Sequence, residues 1–331
     1  MNEGPMMHQL SRAAVRLAAG LLVIGLLAQP ARSAEPREVF QILAAELAVQ
    51  QGDMTTAASL YLSLARETGD PQVAERATQL ALSVRAPQEA LVASRIWLAS
   101  DPKSASAQEI VDALEVVLGQ NDRLIASLSE RREAARKSGT LDAFYDRLGA
   151  LCLRAPKTEQ GLALLEAVSM PDPDHESALY NRAMLLDRLG RNDDMERLLR
   201  RLITLKPEHA HALNALGYSL ADRNQKLDEA QRLIEKAHRL LPKDAHILDS
   251  LGWVYFRQGR LQDAARWLKQ AHSQQPDPEI SAHLGEVYWT LNLTQEAMRV
   301  WRIGLAQDPT NSILTETLRR LGVDPHTSPA R

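Results

Sequence analysis

The sequence predicts an all-α fold: a right-handed superhelical solenoid of about eight stacked helical hairpins, closed by a C-terminal capping helix. Three observations carry this. A glycine-centred segment returns at fixed spacing, prolines keep the same beat, and the composition suits helices. Gly217, Gly252 and Gly285 stand 35 and 33 residues apart, and Pro207, Pro242, Pro276 and Pro309 follow the same interval. Self-similarity at such a period marks a stacked-repeat architecture, in which neighbours bury the faces that one hairpin cannot bury alone. Of the 331 residues, 45% are apolar and 24% are charged with both signs mixed, the balance of a soluble helical protein.

In "LDSLGWVYFRQGRLQDAARWLKQA", Leu248, Leu251, Gly252 and Tyr255 are followed by Ala264, Leu268, Ala271 and Pro276. This is the tetratricopeptide pattern, W-x2-L-G-x2-Y, then A-x3-F, then P, with Leu standing for Trp and Phe. Downstream it returns as Leu284, Gly285, Tyr288, Ala297, Trp301, Gly304 and Pro309. Upstream it returns as Leu213, Leu216, Gly217, Leu220, Ala230, Ile234, Ala237 and Pro242, with one extra residue near "DRNQK". The small residues let two antiparallel helices approach at their crossing, and large apolar residues fill the space around it. Proline stops the second helix and starts the next turn.

Weaker copies precede these. The first unit holds Ala45, Gly52, Ala57 and Tyr61; the second, Ala90, Trp97 and Pro102; the third starts near Ala105, turns at Gly119 and breaks at Gly139. The fourth holds Leu148, Gly149, Gly161 and Leu165; the fifth, Leu179, Ala183, Gly190, Leu199 and Pro207. Eight units thus run from about Glu38 to Asn311, within an array assigned to residues 34–311. Residues 312–331 are expected to form a capping helix, "SILTETLRRLG" ended at Gly322, and a disordered tail.

Residues 1–33 read as a cleavable signal peptide. Arg12 and Arg16 precede an apolar run from Leu17 to Ala28, and Ala31 and Ser33 sit at minus three and minus one of a cut after Ser33. The run is short for a membrane span; an uncleaved anchor or a buried helix are the alternatives. Translation starting at Met6 or Met7 would remove Glu3 from ahead of the basic region. No cysteine follows the run, so no lipid-attachment site of the bacterial lipoprotein kind is expected. The expected location is the periplasm, with no integral membrane span after cleavage.

The net charge of −3 gives no reason to expect nucleic-acid binding. The single Cys152 excludes an internal disulfide framework and any Cys-based zinc site, and in "ALCLRA" it reads as a small buried side chain. "GYSLA" around Ser219 lacks the second glycine of a nucleophile elbow and lies within a helix. His209, His211, His238, His246, His272 and His283 are scattered, without HExxH spacing. No catalytic residue, metal site or cofactor is expected, and the chain is not expected to be an enzyme.

The functional signal lies in the first helices of the repeats. In a tetratricopeptide superhelix their second, fifth, sixth, ninth, twelfth and thirteenth positions line the concave surface. The candidate partner-binding groove is Tyr180, Asn181, Asn214, Tyr218, Trp253, Phe256, Arg257, His283 and Trp289. His211, Asp222, His246, Asp249, Glu279 and Glu286 fall on the same rows. Tyr, Trp and Arg are common anchors of protein interfaces, and asparagine amides pair with an extended backbone. The competing reading is that some of these side chains fill contacts between repeats, since a one-residue shift would bury Trp253 and Trp289. The basic pairs of a carboxylate clamp do not stand at matching positions.

"QILAAELAVQQGDMTTAASLYLSLARETGDPQVAERATQLAL" resembles the first repeats of Gram-negative outer-membrane tetratricopeptide lipoproteins. "LGYSLADR", "HILDSLGWVYFRQGRL", "AHLGEVYWTLN" and "LTETLRRLGV" resemble their last repeats. The family includes the lipoprotein adaptor of a periplasmic carboxyl-terminal processing protease. The resemblance covers about Phe40 to Asp101 and about Asn181 to Val323. It implies a non-catalytic scaffold that binds such a protease and its substrates, for example peptidoglycan hydrolases. An assembly or stability factor for envelope or secretion machinery is the alternative. The chain departs from the family in being shorter through the middle and in lacking the lipid-attachment cysteine.

Overall fold

The computed structural model describes residues 36–324; the expected signal peptide and the last seven residues of the expected tail lie outside the described residues. Those described form seventeen helices and no strand. The first hairpin pairs α1 (Pro36–Gln51) with α2 (Met54–Thr68), and the second pairs α3 (Pro71–Ser83) with α4 (Pro87–Ser100). Next in the chain come α5 (Ala105–Val117) and α6 (Asn121–Ser138), the third pair in order; α7 (Leu141–Leu153) then packs with α8 (Thr158–Ser169), and α9 (Glu176–Arg188) with α10 (Asn192–Leu205). The last three hairpins are α11 (Ala210–Asp222) with α12 (Leu227–Leu240), α13 (Ala245–Arg257) with α14 (Leu261–Gln274), and α15 (Pro278–Thr290) with α16 (Thr294–Gln307). A single helix, α17 (Ser312–Leu321), follows. The fold is the all-α tetratricopeptide type that the spacing predicts, its helices following one another in eight successive pairs.

Short polar caps and prolines set the helix starts. Asp70 Oδ1 accepts from the Gln72 and Val73 amides ahead of Pro71. Asp244 Oδ1 accepts from His246 and Ile247, and Asp277 Oδ1 accepts from Glu279 beside Pro278. Each satisfies amides that the first turn leaves without a helical partner. Within the seventh hairpin the turn needs a left-handed residue and has Gly259 at φ 77°; in the eighth, Asn292 takes that role at φ 60°. The extra residue near "DRNQK" is absorbed by two left-handed residues in one turn, Asn224 at φ 55° and Lys226 at φ 45°.

The hairpins close on one recurring contact. Seven residues into the second helix stands a large buried side chain: Tyr61, Leu128, Leu165, Leu199, Ile234, Leu268 or Trp301. The second hairpin has Ser94 there and fills the space with Trp97. In the last three hairpins this side chain meets the crossing glycine. A Cβ on Gly217, Gly252 or Gly285 would lie 2.6 Å from Ile234, 2.4 Å from Leu268 or 2.1 Å from Trp301. Glycine is therefore required for the close approach, at a modest helical cost.

The described residues divide into two compact units, one ending at Leu114 and the other starting at Glu115. In the first, Ala57, Tyr61, Leu64 and Ala65 pack with Ala74, Ala77, Ala93 and Trp97. In the second, one apolar cluster runs from Val116 to Val300, and a smaller one joins Ala282, Ala297 and Trp301 to Leu314 and Leu318 of α17. The outer side of α17 is polar: Glu316 pairs with Arg319 and both are exposed.

The first helix is different. On α1 only Ala45 and Ala48 are buried, while Val39, Phe40, Leu43 and Leu47 are exposed, Phe40 by 71%. Aligned on the crossing position, Phe40, Leu43 and Leu47 correspond to Ile247, Ser250 and Val254, and to Ile280, His283 and Val287. All six of those are buried.

Candidate functional site

The candidate residues occupy the first helices α9, α11, α13 and α15 of four consecutive hairpins. Tyr180 is half-buried and stacks on His209, with ring centroids 5.4 Å apart, while His211 stands 6.5 Å away on the solvent side. His209 is held as the N-cap of α11, its Nδ1 accepting from the Ala212 amide. Burial lowers its pKa, keeping the ring neutral. Asn181 is committed within the array: its Nδ2 donates to Ser177 O, and the amide fills the space above Gly149. Asn214 is half-buried, and its Oδ1 is out of contact with solvent without a hydrogen-bond partner.

Three expectations of free groove side chains are corrected further along. Trp253 is only 5% exposed. Its Nε1–H donates to Asp222 Oδ1 at 3.2 Å, and its face lies on His283. His283 is 2% exposed, and its Nδ1–H donates to both oxygens of Asp249, at 2.9 and 3.0 Å. Tyr218 spends its hydroxyl on Glu279 Oε1 at 3.0 Å, spanning from the sixth hairpin to the eighth. Burial raises the Tyr218 pKa well above the ordinary value, with Glu279, Asp249 and Asp222 adding to it, so this phenol stays a neutral donor. The physical reason is common to all three. Successive first helices stack side by side, so a large side chain on the inner row meets the next helix before it meets solvent.

Phe256 and Arg257 are half-buried beside this cluster, with the Phe256 ring 5.1 Å from Trp253 and the Arg257 guanidinium 5.8 Å from it. Trp289 is half-buried and turned to the terminal cluster, 5.8 Å from Trp301. The accessible face of these hairpins is therefore formed by Tyr180, His211, Asn214, His246, Phe256 and Arg257, with the Asp222 carboxylate among them.

The carboxylates are what reading the candidate residues missed. Asp222, Asp249 and Glu279 come from three consecutive hairpins and converge on Tyr218, Trp253 and His283. A signal was present: each stands on a groove row, in step with the indole, imidazole or phenol it engages. The His283–Asp249 dyad is not open to a substrate, because both residues are buried and Trp253 covers a ring face. Among the described residues no group of three or more His, Cys, Asp or Glu side chains is placed to hold a metal ion. No described helix is long and apolar enough to cross a membrane.

Tetratricopeptide-repeat family models match residues 180–245 and 223–283, the hairpins that carry this site. A TPR repeat-containing protein of Pseudomonas aeruginosa is 39% identical over 184 residues, covering 50% of this chain and 31% of its own length. The chain thus spans about a third of that relative. Among solved structures, a tetratricopeptide protein from Parabacteroides merdae is similar over 85% of this chain and 97% of its own, at 16% identity and a TM-score of 0.48. A thermophilic one from Thermus thermophilus is similar over 54% and 97%, at 24% identity and a TM-score of 0.47. The hairpins over residues 180–283 thus match tetratricopeptide repeats by sequence.

Proposed function

We propose that this chain is a non-catalytic periplasmic adaptor, which binds a carboxyl-terminal processing protease and its protein substrates. The observation that carries the scaffold reading is the run of accessible recognition side chains over consecutive first helices, Tyr180, His211, Asn214, Phe256 and Arg257, on a framework of buried interhairpin contacts. Export is supported by the basic, apolar and small-residue order of residues 12–33. The protease as partner is supported by the resemblance of both ends of the array to outer-membrane adaptor lipoproteins. The mechanism is tethering: holding protease and substrate on one body raises their effective concentration without new chemistry.

The test is affinity capture from periplasmic extract with residues 34–331, read by mass spectrometry beside a His211→Ala, Arg257→Glu variant. These positions are chosen over Trp253 and Tyr218, whose removal would disturb the fold. Recovery of a processing protease or a cell-wall hydrolase by the parent, lost in the variant, supports the reading. Recovery of secretion or envelope-assembly proteins instead overturns the protease assignment in favour of an assembly factor. N-terminal sequencing of the exported protein tests the cut after Ser33.

A further inference from the structure

We propose that the buried His283–Asp249 pair is an ionic, pH-sensitive clasp that fastens the seventh hairpin to the eighth and holds the recognition face in shape. The geometry carries it. The two side chains come from α13 and α15, are 4% and 2% exposed, and meet through two close N–H···O contacts. A carboxylate this deep is costly unless paired. Asp249 finds its partner in one imidazole, whose open side is covered by the Trp253 indole at 4.1 Å.

The surroundings favour the charged ring. On its own helix His283 has Glu279 and Glu286; Glu279 is engaged by Tyr218, and Glu286 by Arg320 of α17. From α13 come Asp249 and, beyond Trp253, Arg257; from α11 come Tyr218 and Asp222. The helices α14 and α16 meet α15 through Ala271 against Ile280 and Trp301 against Ala282. Asp263 of α14 pairs outward with Arg260 and Arg266, while Lys269, Arg299 and Arg302 are exposed. Burial by itself would lower the His283 pKa; the Asp249 carboxylate, with Glu279 and Asp222 behind it, outweighs burial and raises it.

The sign follows. A histidine whose folded pKa is raised contributes its stability fully below its unfolded value of about 6.5, and loses it as pH rises through the folded pKa. Above that point the ring keeps its Nδ1–H toward Asp249 but loses its positive charge, and the stack with Trp253, Asp222 and Arg257 loosens as the ionic attraction is lost. The clasp does not depend on which partner the face binds.

The experiment is a proton NMR titration of histidine-labelled protein, with His283 assigned through His283→Gln. It is read together with amide hydrogen exchange of the unmodified chain across the same pH range, corrected for intrinsic base catalysis. Expected are a His283 transition above the ordinary value, a downward shift in Asp249→Asn, and a loss of protection in α13 and α15. That loss amounts to about tenfold for each pH unit by which the folded pKa exceeds the ordinary one. Titration of His283 at or below the ordinary value overturns the proposal. So does protection in α13 and α15 that stays level through the transition, a result the unmodified chain can give even if the variants fail to fold.

Discussion

Trp253 lies flat against His283, with ring centroids 4.1 Å apart and planes 22° apart. The same indole reaches back to Asp222 through its N–H. One side chain on α13 therefore ties α11 on one side to α15 on the other. In a solenoid, where each repeat is stabilised by its neighbours, such a side chain acts on three hairpins at once.

Trp253→Ala is expected to lower stability by roughly 3–5 kcal/mol, the usual range for emptying a large aromatic site. Trp253→Phe keeps a stacking ring and loses the hydrogen bond to Asp222, so it should cost less. Denaturant midpoints measure both. A Trp253→Ala protein as stable as the parent would remove the indole from the interhairpin framework.

Gly285→Ala places a methyl group 2.1 Å from Trp301 Nε1, so the fully buried indole must shift. Overpacking of this kind costs about 1–3 kcal/mol, more than the small gain from replacing a helical glycine by alanine. Thermal melting is expected to show a lower midpoint, and pairing the change with Trp301→Leu should recover part of it. Additivity of the two substitutions would mean that they do not share the crossing.

The Cys152 thiol is buried, and burial pushes its pKa up to about 12. At pH 8 the thiolate fraction is then about one in ten thousand. Reaction with a maleimide or disulfide reagent is expected to be negligible in the native protein and rapid in denaturant. Prompt native labelling would place Cys152 at an open surface.

Asp244→Ala removes a cap that accepts from two amides at the start of α13. The expected loss is roughly 0.5–2 kcal/mol, with Asp244→Asn retaining most of the stability. Since α13 carries Asp249 and Trp253, the alanine variant should also speed amide exchange in that helix. Unchanged exchange there would uncouple the cap from the interhairpin contacts.

The hairpins were legible because their signals are local. Gly217, Gly252 and Gly285 mark crossings, and the aromatic or aliphatic residue seven positions into every second helix except α4 marks the partner side. The site was only half legible. A repeat frame says which side of a helix Trp253 and His283 occupy, but not how far the next helix extends over them. That depends on side chains a full repeat away, Asp222 for the indole and Asp249 for the imidazole. The half-buried Asn181 depends on a neighbouring repeat in the same way: its amide is held by the space that Gly149 leaves on the preceding hairpin. Phe256 and Arg257, near the end of their helix, escape this cover.

The aliphatic stripe of Phe40, Leu43 and Leu47 on α1 has a consequence for engineering the molecule. It keeps the shape that later hairpins use to receive the helix before them, whereas α17 turns a charged side outward. In an engineered array, a helix laid against α1 would meet an aliphatic row at the positions that Ile247, Ser250 and Val254 bury in the seventh hairpin. Lengthening past α16 first requires α17 to be taken away or given an aliphatic outer side. Between these two described helices, α1 offers the better seat for an added hairpin, and a library of longer variants should start from its aliphatic row.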